Sequence, residues 1–349
     1  MSSAARSERV TSRIGLTLAV TFTLCFVTGL LSHLIQHPPS WFGWPSRPIG
    51  LYRFTQGTHV VSGIASIPLL LAKLWSVYPK LFERPVIRNL PHALERLSIL
   101  VLSVAAFFEL TTGLFNIAQN YPWTFYFPQL HYALAWVAIG SILVHIAVKL
   151  PIVRRALTTE PEPSRRAFLR TTWLAAGVAV VATAGDSVPL LRNVSGLSWR
   201  SDKGPQGLPV NRTAEAAGVL DTARDADWRL SVVTPGGTKT YSLDQLRALP
   251  RTSAELPIAC VEGWSQSAHW SGVSLPDLLR HAGTAPGTPV RVFSLEKAGP
   301  YGISDLPGEH TSDDLTLLAL ELNGEILDAD HGFPCRVIAP NRPGVLQTK

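Results

Sequence analysis

The residues with the widest chemistry are three cysteines and a set of histidines on apolar runs. Cys25, Cys260 and Cys335 include no CxxC pair and no zinc-type cluster, which excludes a disulfide framework and a thiolate zinc knot. Cys25 lies in an apolar run and Cys335 sits between Pro334 and Arg336 in a core-strand pattern; both read as packing. Cys260, like Cys335, lies in the polar half of the chain. His59, His131 and His145 lie on long apolar runs, where an ionisable side chain is costly and usually functional. His131 and His145 are 14 residues apart. On one helix that is about four turns, with both rings on nearly the same side and roughly 21 Å apart along the axis.

These residues need elements to hold them. Four apolar runs, Ile14–Ile35, Gly57–Val77, Leu94–Ala118 and His131–Leu150, each approach the length a helix needs to span a bilayer. Turn signals separate them, such as His37-Pro38-Pro39 and Tyr121-Pro122-Trp123. Trp41, Trp44, Tyr121, Trp123 and Tyr126 sit at span ends, where amphipathic rings favour the interface. Twelve Arg and Lys flank the N-terminal, second-to-third and post-fourth segments, against only Arg47 and Arg53 in the opposite loops. The bias places the N-terminus and the end of span four in the cytoplasm. It also accounts for much of the +6 net charge, and no stretch reads as a nucleic-acid-binding module.

Ser164-Arg165-Arg166-Ala167-Phe168-Leu169 precedes a shorter apolar stretch ending near Gly185 and resembles a twin-arginine export signal placed in mid-chain. It is read as an uncleaved fifth span; an ordinary fifth helix flanked by two arginines, and cleavage after Ala184, are the alternatives. In each case the chain beyond about residue 190 lies outside the cytoplasm. There the composition changes to short strand patterns, such as Trp228–Val233, Leu256–Val261 and Val290–Leu295, mixed with short helices at Tyr241–Leu246 and Leu275–His281. Ser242 is placed to cap the first of these helices. The expected division is 1–157, a four-helix transmembrane domain; 158–190, the twin-arginine segment and fifth helix; 191–224, a linker; and 225–349, an α+β domain.

The order Trp228-Arg229-Leu230-Ser231-Val232, Tyr241-Ser242-Leu243-Asp244-Gln245-Leu246 and Ala259-Cys260-Val261-Glu262-Gly263-Trp264 carries a family resemblance. Trp270–Leu275, Tyr301–Ser304, Asn323-Gly324-Glu325 and His331–Ile338 continue it. The C-terminal segment resembles the molybdopterin-binding fold of sulfite oxidases and of periplasmic methionine-sulfoxide reductase catalytic subunits. The resemblance implies that Cys260 ligates molybdenum. It implies that His331, Arg336 and Lys349 hold the pterin and its phosphate, and that Tyr301 lines the substrate pocket. The Val261-Glu262-Gly263-Trp264 context is closer to the reductase branch than to sulfite oxidases, whose C-terminal dimerisation domain is absent from this sequence. The chain stops at Lys349, where the family continues into another strand.

The histidine spacing resembles the two-haem helices of membrane cytochromes b, which implies haem b. His131 is expected to pair with His59, with His33 in reserve, and His145 with His92 in a possible second site. That family draws its inner partner from the first helix, and span one has no histidine near its cytoplasmic end. The overall expectation is an all-α transmembrane bundle joined to an α+β molybdopterin domain, in the inner membrane with the latter outside. Oxygen-atom transfer on a small oxidised substrate, sulfoxide-like reduction first, would be coupled to haem and to quinone or another membrane electron carrier. A sulfite-type dehydrogenase feeding quinone, a metal-free tethered binding domain, and a haem relay serving another partner are the alternatives.

Overall fold

The computed structural model describes residues 7–158, 163–198, 204–297, 299 and 301–349, with the side chains of 163–165 left aside. Ser164 and Arg165 of the twin-arginine motif therefore lie outside the described side chains. The chain forms two compact units: 1–33 with 55–199, and 34–54 with 200–349.

The first unit is helical. Its helices are α1 (Glu8–Gln36), α2 (Leu51–Leu81), α3 (Leu90–Ile117), α4 (Phe127–Leu157) and α5 (Pro163–Thr183), with α1 and α2 each running a few residues into the second unit. All five contain a stretch long and apolar enough to cross a membrane. The helices outrun the apolar windows because backbone hydrogen bonding continues where hydropathy stops: α1 begins at Glu8 and passes Arg13 before the first apolar run. Asn89 starts α3 by accepting from the His92 N–H, and Pro91 follows in the first turn, where a missing N–H costs nothing. α3 packs along α4. Small apolar clusters hold the unit together, among them Phe22, Leu70 and Ala106, and Val60, Ile64, Ile117 and Ala184. Large side chains such as Leu16, Val20, Leu94, Leu97, Leu143 and Val144 point outward.

The second unit is built on sheets. The remaining helices are α6 (Leu220–Arg224), α7 (Leu243–Arg247), α8 (Leu275–Ala282) and α9 (Gly308–Thr311). The strands are β1 (Leu230–Thr234), β2 (Gly237–Tyr241), β3 (Thr252–Ala259), β4 (Ser265–Ser274), β5 (Val290–Phe293), β6 (Ile303–Leu306), β7 (Leu317–Leu322), β8 (Glu325–Ile326) and β9 (Arg336–Ile338). β3, β4, β7 and β8 form an antiparallel sheet in that order, with β9 also pairing β7; β1–β2 and β5–β6 are separate hairpins. A register shift at Ser271/Gly272 lets β4 turn along β7. Ser242 caps α7 in a full capping box with Gln245, worth about 1 kcal/mol. One face of the main sheet buries Trp270, Leu256, Leu322 and Ile338 together with Cys260 and Trp264. The other packs α8 through Leu275, Leu278 and Leu279. β3 starts at Thr252, four residues before the expected run, because its exposed half alternates and pairs fully with β4.

Candidate functional site

Cys260 follows β3 directly and opens a tight turn. Its N–H donates to Trp264 O (2.8 Å), and the Gly263 N–H returns to Cys260 O (3.0 Å). The thiol is 2 % exposed. Two donors converge on Sγ: Asn211 Nδ2 at 2.8 Å and the Glu262 backbone N–H at 3.5 Å. Trp264 Nε1 donates to Asn211 Oδ1 (2.9 Å), which fixes the amide so that its NH2 faces the sulfur. Hydrogen bonds to a sulfur favour its thiolate form, the form that ligates metal.

The residues expected to hold the pterin gather nearby in the fold. Gly332, at φ 102, is the pivot: a Cβ there would stand 2.6 Å from Lys349 Cβ and 3.0 Å from Arg336 Cβ. Arg336 is buried, with its guanidinium 5.5 Å from the Trp270 ring centroid. Its Nη atoms donate to the carbonyls of His331 (3.1 Å) and Gln347 (3.0 Å), while Nε has no partner. Burial pushes the Arg336 guanidinium down to about 10. Burial, then the Arg336 charge, pushes Lys349 down to about 8, although its Nζ donates to Arg212 O and Asp330 O, both at 2.8 Å. His331 Nε2 donates to Pro205 O (2.8 Å), and burial holds its ring below the usual imidazole range.

Among the described residues, no carboxylate forms an ion pair with Arg336 or Lys349. The buried Arg336 and the more exposed Lys349, both hydrogen-bonded to carbonyls, together with an unpartnered Arg336 Nε and the unpartnered Gln347 Oε1, suit an anionic, hydrogen-bonding ligand. No three His, Cys, Asp or Glu among the described residues converge to hold a bare metal ion. A centre fed by one protein thiolate, with the remaining ligands carried by a cofactor, meets that constraint. The donor set therefore fits the molybdenum cofactor.

Segment 205–212 joins these parts: Pro205 meets His331, Asn211 meets Cys260, and Arg212 meets Lys349. The sequence reads this segment as linker because its Pro and Gly content hides the role, and no pattern marks Asn211. Cys335 is packing, as expected, and burial raises its thiol to about 12. Tyr301 lies half-buried in the turn before β6.

In the helical unit, His59 Nδ1 donates to Cys25 O (2.8 Å), and Cys25 Sγ lies 3.5 Å from the same nitrogen. Cys25 thus contacts a candidate ligand rather than serving as packing alone. Gly29 makes room for the ring, since a Cβ there would come within 2.8 Å of His59 Cε1. On α4, His131 Nδ1 is 2.8 Å from Thr112 Oγ1. The Thr112 hydroxyl donates to Phe108 O (2.8 Å), so His131 Nδ1 is the donor to Thr112 and Nε2 faces Glu109. Glu109 Oε2 stands 3.1 Å from that Nε2. Both histidines are anchored through Nδ1, the arrangement that aims Nε2 at a metal. The sequence reading missed Glu109, although an acid inside an apolar run is a signal that could have found it. His145 and His92 lie on α4 and at the start of α3; His92 Nδ1 accepts from the Arg88 N–H (3.3 Å). His33 stacks on Tyr132, with centroids 3.7 Å apart.

Comparison with known proteins sets the class. Residues 217–349 match the family described as "Oxidoreductase molybdopterin binding domain". The C-terminal part of the chain is thus similar to molybdopterin-binding oxidoreductase domains of the sulfite oxidase and methionine-sulfoxide reductase type. Among its relatives is a mitochondrial sulfite oxidase of Drosophila melanogaster, 34% identical over 149 residues covering 35% of this chain and 26% of that protein. Another is the catalytic subunit of a protein-methionine-sulfoxide reductase from Burkholderia mallei, 31% identical over 162 residues, 41% of this chain and 46% of that protein. Its counterpart from Ralstonia nicotianae is 29% identical over 245 residues, 64% of this chain and 67% of that protein, a match that extends upstream of residue 217. The chain spans 26%, 50% and 40% of three curated relatives it matches.

Proposed function

We propose that the chain is a membrane-bound molybdenum oxidoreductase that couples reduction of a small oxidised substrate, sulfoxide-like, to haem b and the quinone pool. The observation that carries the reading is the buried Cys260 Sγ with two N–H donors on it, beside the buried Arg336 and the more exposed Lys349, both of which donate to backbone carbonyls. When bound, the cofactor supplies two-electron oxygen-atom transfer. The chain's own contribution is to present the thiolate, fix it through Asn211 and Trp264, and neutralise the anionic pterin with Arg336 and Lys349. Tyr301 is assigned to the substrate pocket by the family resemblance.

Membrane placement is supported by the outward apolar side chains of α1, α3 and α4, which form a surface that water would not tolerate. The N-terminus would lie in the cytoplasm and the domain beyond residue 190 outside it. Haem binding by His59 and His131 is supported by their shared Nδ1 anchoring. Glu109 would have to leave Nε2 of His131 for iron to take its place. His92 and His145 are the candidates for a second haem. The sulfite oxidases among the relatives favour a second reading, in which a sulfur compound is oxidised and electrons run toward quinone.

Molybdenum and iron per polypeptide, measured on the detergent-purified full-length chain, test the proposal. About one molybdenum with one or two irons supports it. Iron without molybdenum, from a host able to make the cofactor, overturns the catalytic reading.

A further inference from the structure

The connection between α1 and α2 belongs to the same compact unit as the C-terminal domain, although some 150 residues separate the two in sequence. Asn341, 2 % exposed and at φ 55, organises the contact. Its carbonyl accepts from Trp44 Nε1 (2.7 Å), its Nδ2 donates to Pro45 O (2.6 Å), and its Oδ1 accepts from the Tyr52 N–H (2.6 Å). Arg47 grips Asp313 with two hydrogen bonds of 2.8 and 2.9 Å. The Asp313 side chain is 6% exposed. Burial pushes the Asp313 carboxyl up, but the bonds and charge of Arg47 outweigh it and hold it below the usual carboxylate range. Arg53 Nη2 donates to Ser267 Oγ (2.6 Å) on β4, and Ile49 packs against the core cluster that contains Cys260.

The same loop continues to the candidate cofactor site. Two residues after Asn341, Pro343 bridges Ala259, the neighbour of Cys260. Gly344 then passes so close that a Cβ on it would meet Ile258 Cγ2 at 3.0 Å and Cys260 Cα at 3.8 Å.

We propose that residues 44–53 are an intramolecular clasp that docks on the 341–344 loop and, through it, holds the backbone behind Cys260. Five separate polar contacts and one apolar one, made by residues outside the 217–349 family match, argue against an incidental touch. The clasp makes the C-terminal domain depend on the helix connection for its order, beyond the covalent tie through residues 205–219.

Hydrogen–deuterium exchange on the full-length protein in detergent tests this without reference to metal, so its failure is separate from failure of the molybdenum reading. Arg47→Glu sets a carboxylate against the buried Asp313. It should raise exchange in 313–316 and 341–346 by about tenfold while the β5–β6 hairpin keeps its protection. Arg47→Glu with Asp313→Arg should restore most of the protection. Unchanged exchange in 341–346 for Arg47→Glu overturns the clasp. If the single variant loosens the whole domain, the exchanged pair decides: recovery supports the clasp, and no recovery overturns it.

Discussion

The two units carry their chemistry in opposite ways. In the helical unit, polar groups are few and stand out against an apolar background, and each one of interest is held by a neighbour one or two helix turns away or on the adjoining helix. His131, Thr112, Phe108 and Glu109 are such a set. In the sheet unit the site is assembled from segments far apart in sequence: Asn211, Cys260, His331, Arg336 and Lys349 meet only when the fold is complete. A reading by exceptions therefore suits the first unit, and only a family resemblance reaches the second.

The largest effect that sharpens this contrast is expected at Cys260. Cys260→Ser replaces a soft ligand by a hard one and should bring substrate turnover to background, measured with an artificial electron donor so that the helical unit is bypassed. Haem absorbance should be unchanged. If turnover survives, the sheet unit's site is elsewhere and the comparison fails on that side.

Next in size is the helical site. His59→Ala and His131→Ala should each abolish the reduced haem b absorbance bands if the pair ligates one iron, with donor-driven turnover in the sheet unit preserved. Loss of absorbance in neither variant would leave the histidines as a hydrogen-bonded set around Glu109.

Asn211→Ala should cost about 10–100-fold in turnover, as expected for a group that orients a metal ligand rather than binding the metal. Trp264→Phe, which frees the amide to rotate, should cost less. Nothing in the sequence around Asn211 pointed to it, because a single Asn in a Pro/Gly-rich segment has no periodicity and no motif. The helices, in contrast, were legible from hydropathy alone, and their ends differed only where hydrogen bonding runs on past the apolar window. The α7 cap at Ser242 was also legible, since its capping box is local. The α1–α2 connection was readable as a turn but not as a clasp: its partners lie 214 to 297 residues away. Arg47 and Arg53 had stood out as the positive residues on the wrong side of the charge bias, and both are engaged by the C-terminal domain.

The last effect concerns pH, and it is read in stability rather than in turnover. His310 is 1 % exposed, with both ring nitrogens lacking a hydrogen-bond partner of good geometry. Burial first, then the Arg342 charge, pushes its imidazole down to about 4. The unfolded chain takes up this proton near the ordinary value of about 6.5. Between those two values the unfolded state binds more protons, so the group's contribution falls as pH falls, by about 3 kcal/mol across the window. Thermal unfolding of the C-terminal domain should show a Tm that declines from pH 6.5 to 4, and His310→Gln should flatten the decline. Asp313, held low by Arg47, adds a loss of the same sign at the acid end, so some slope should remain in the variant. A slope equal in wild type and variant would place the acid sensitivity in other groups.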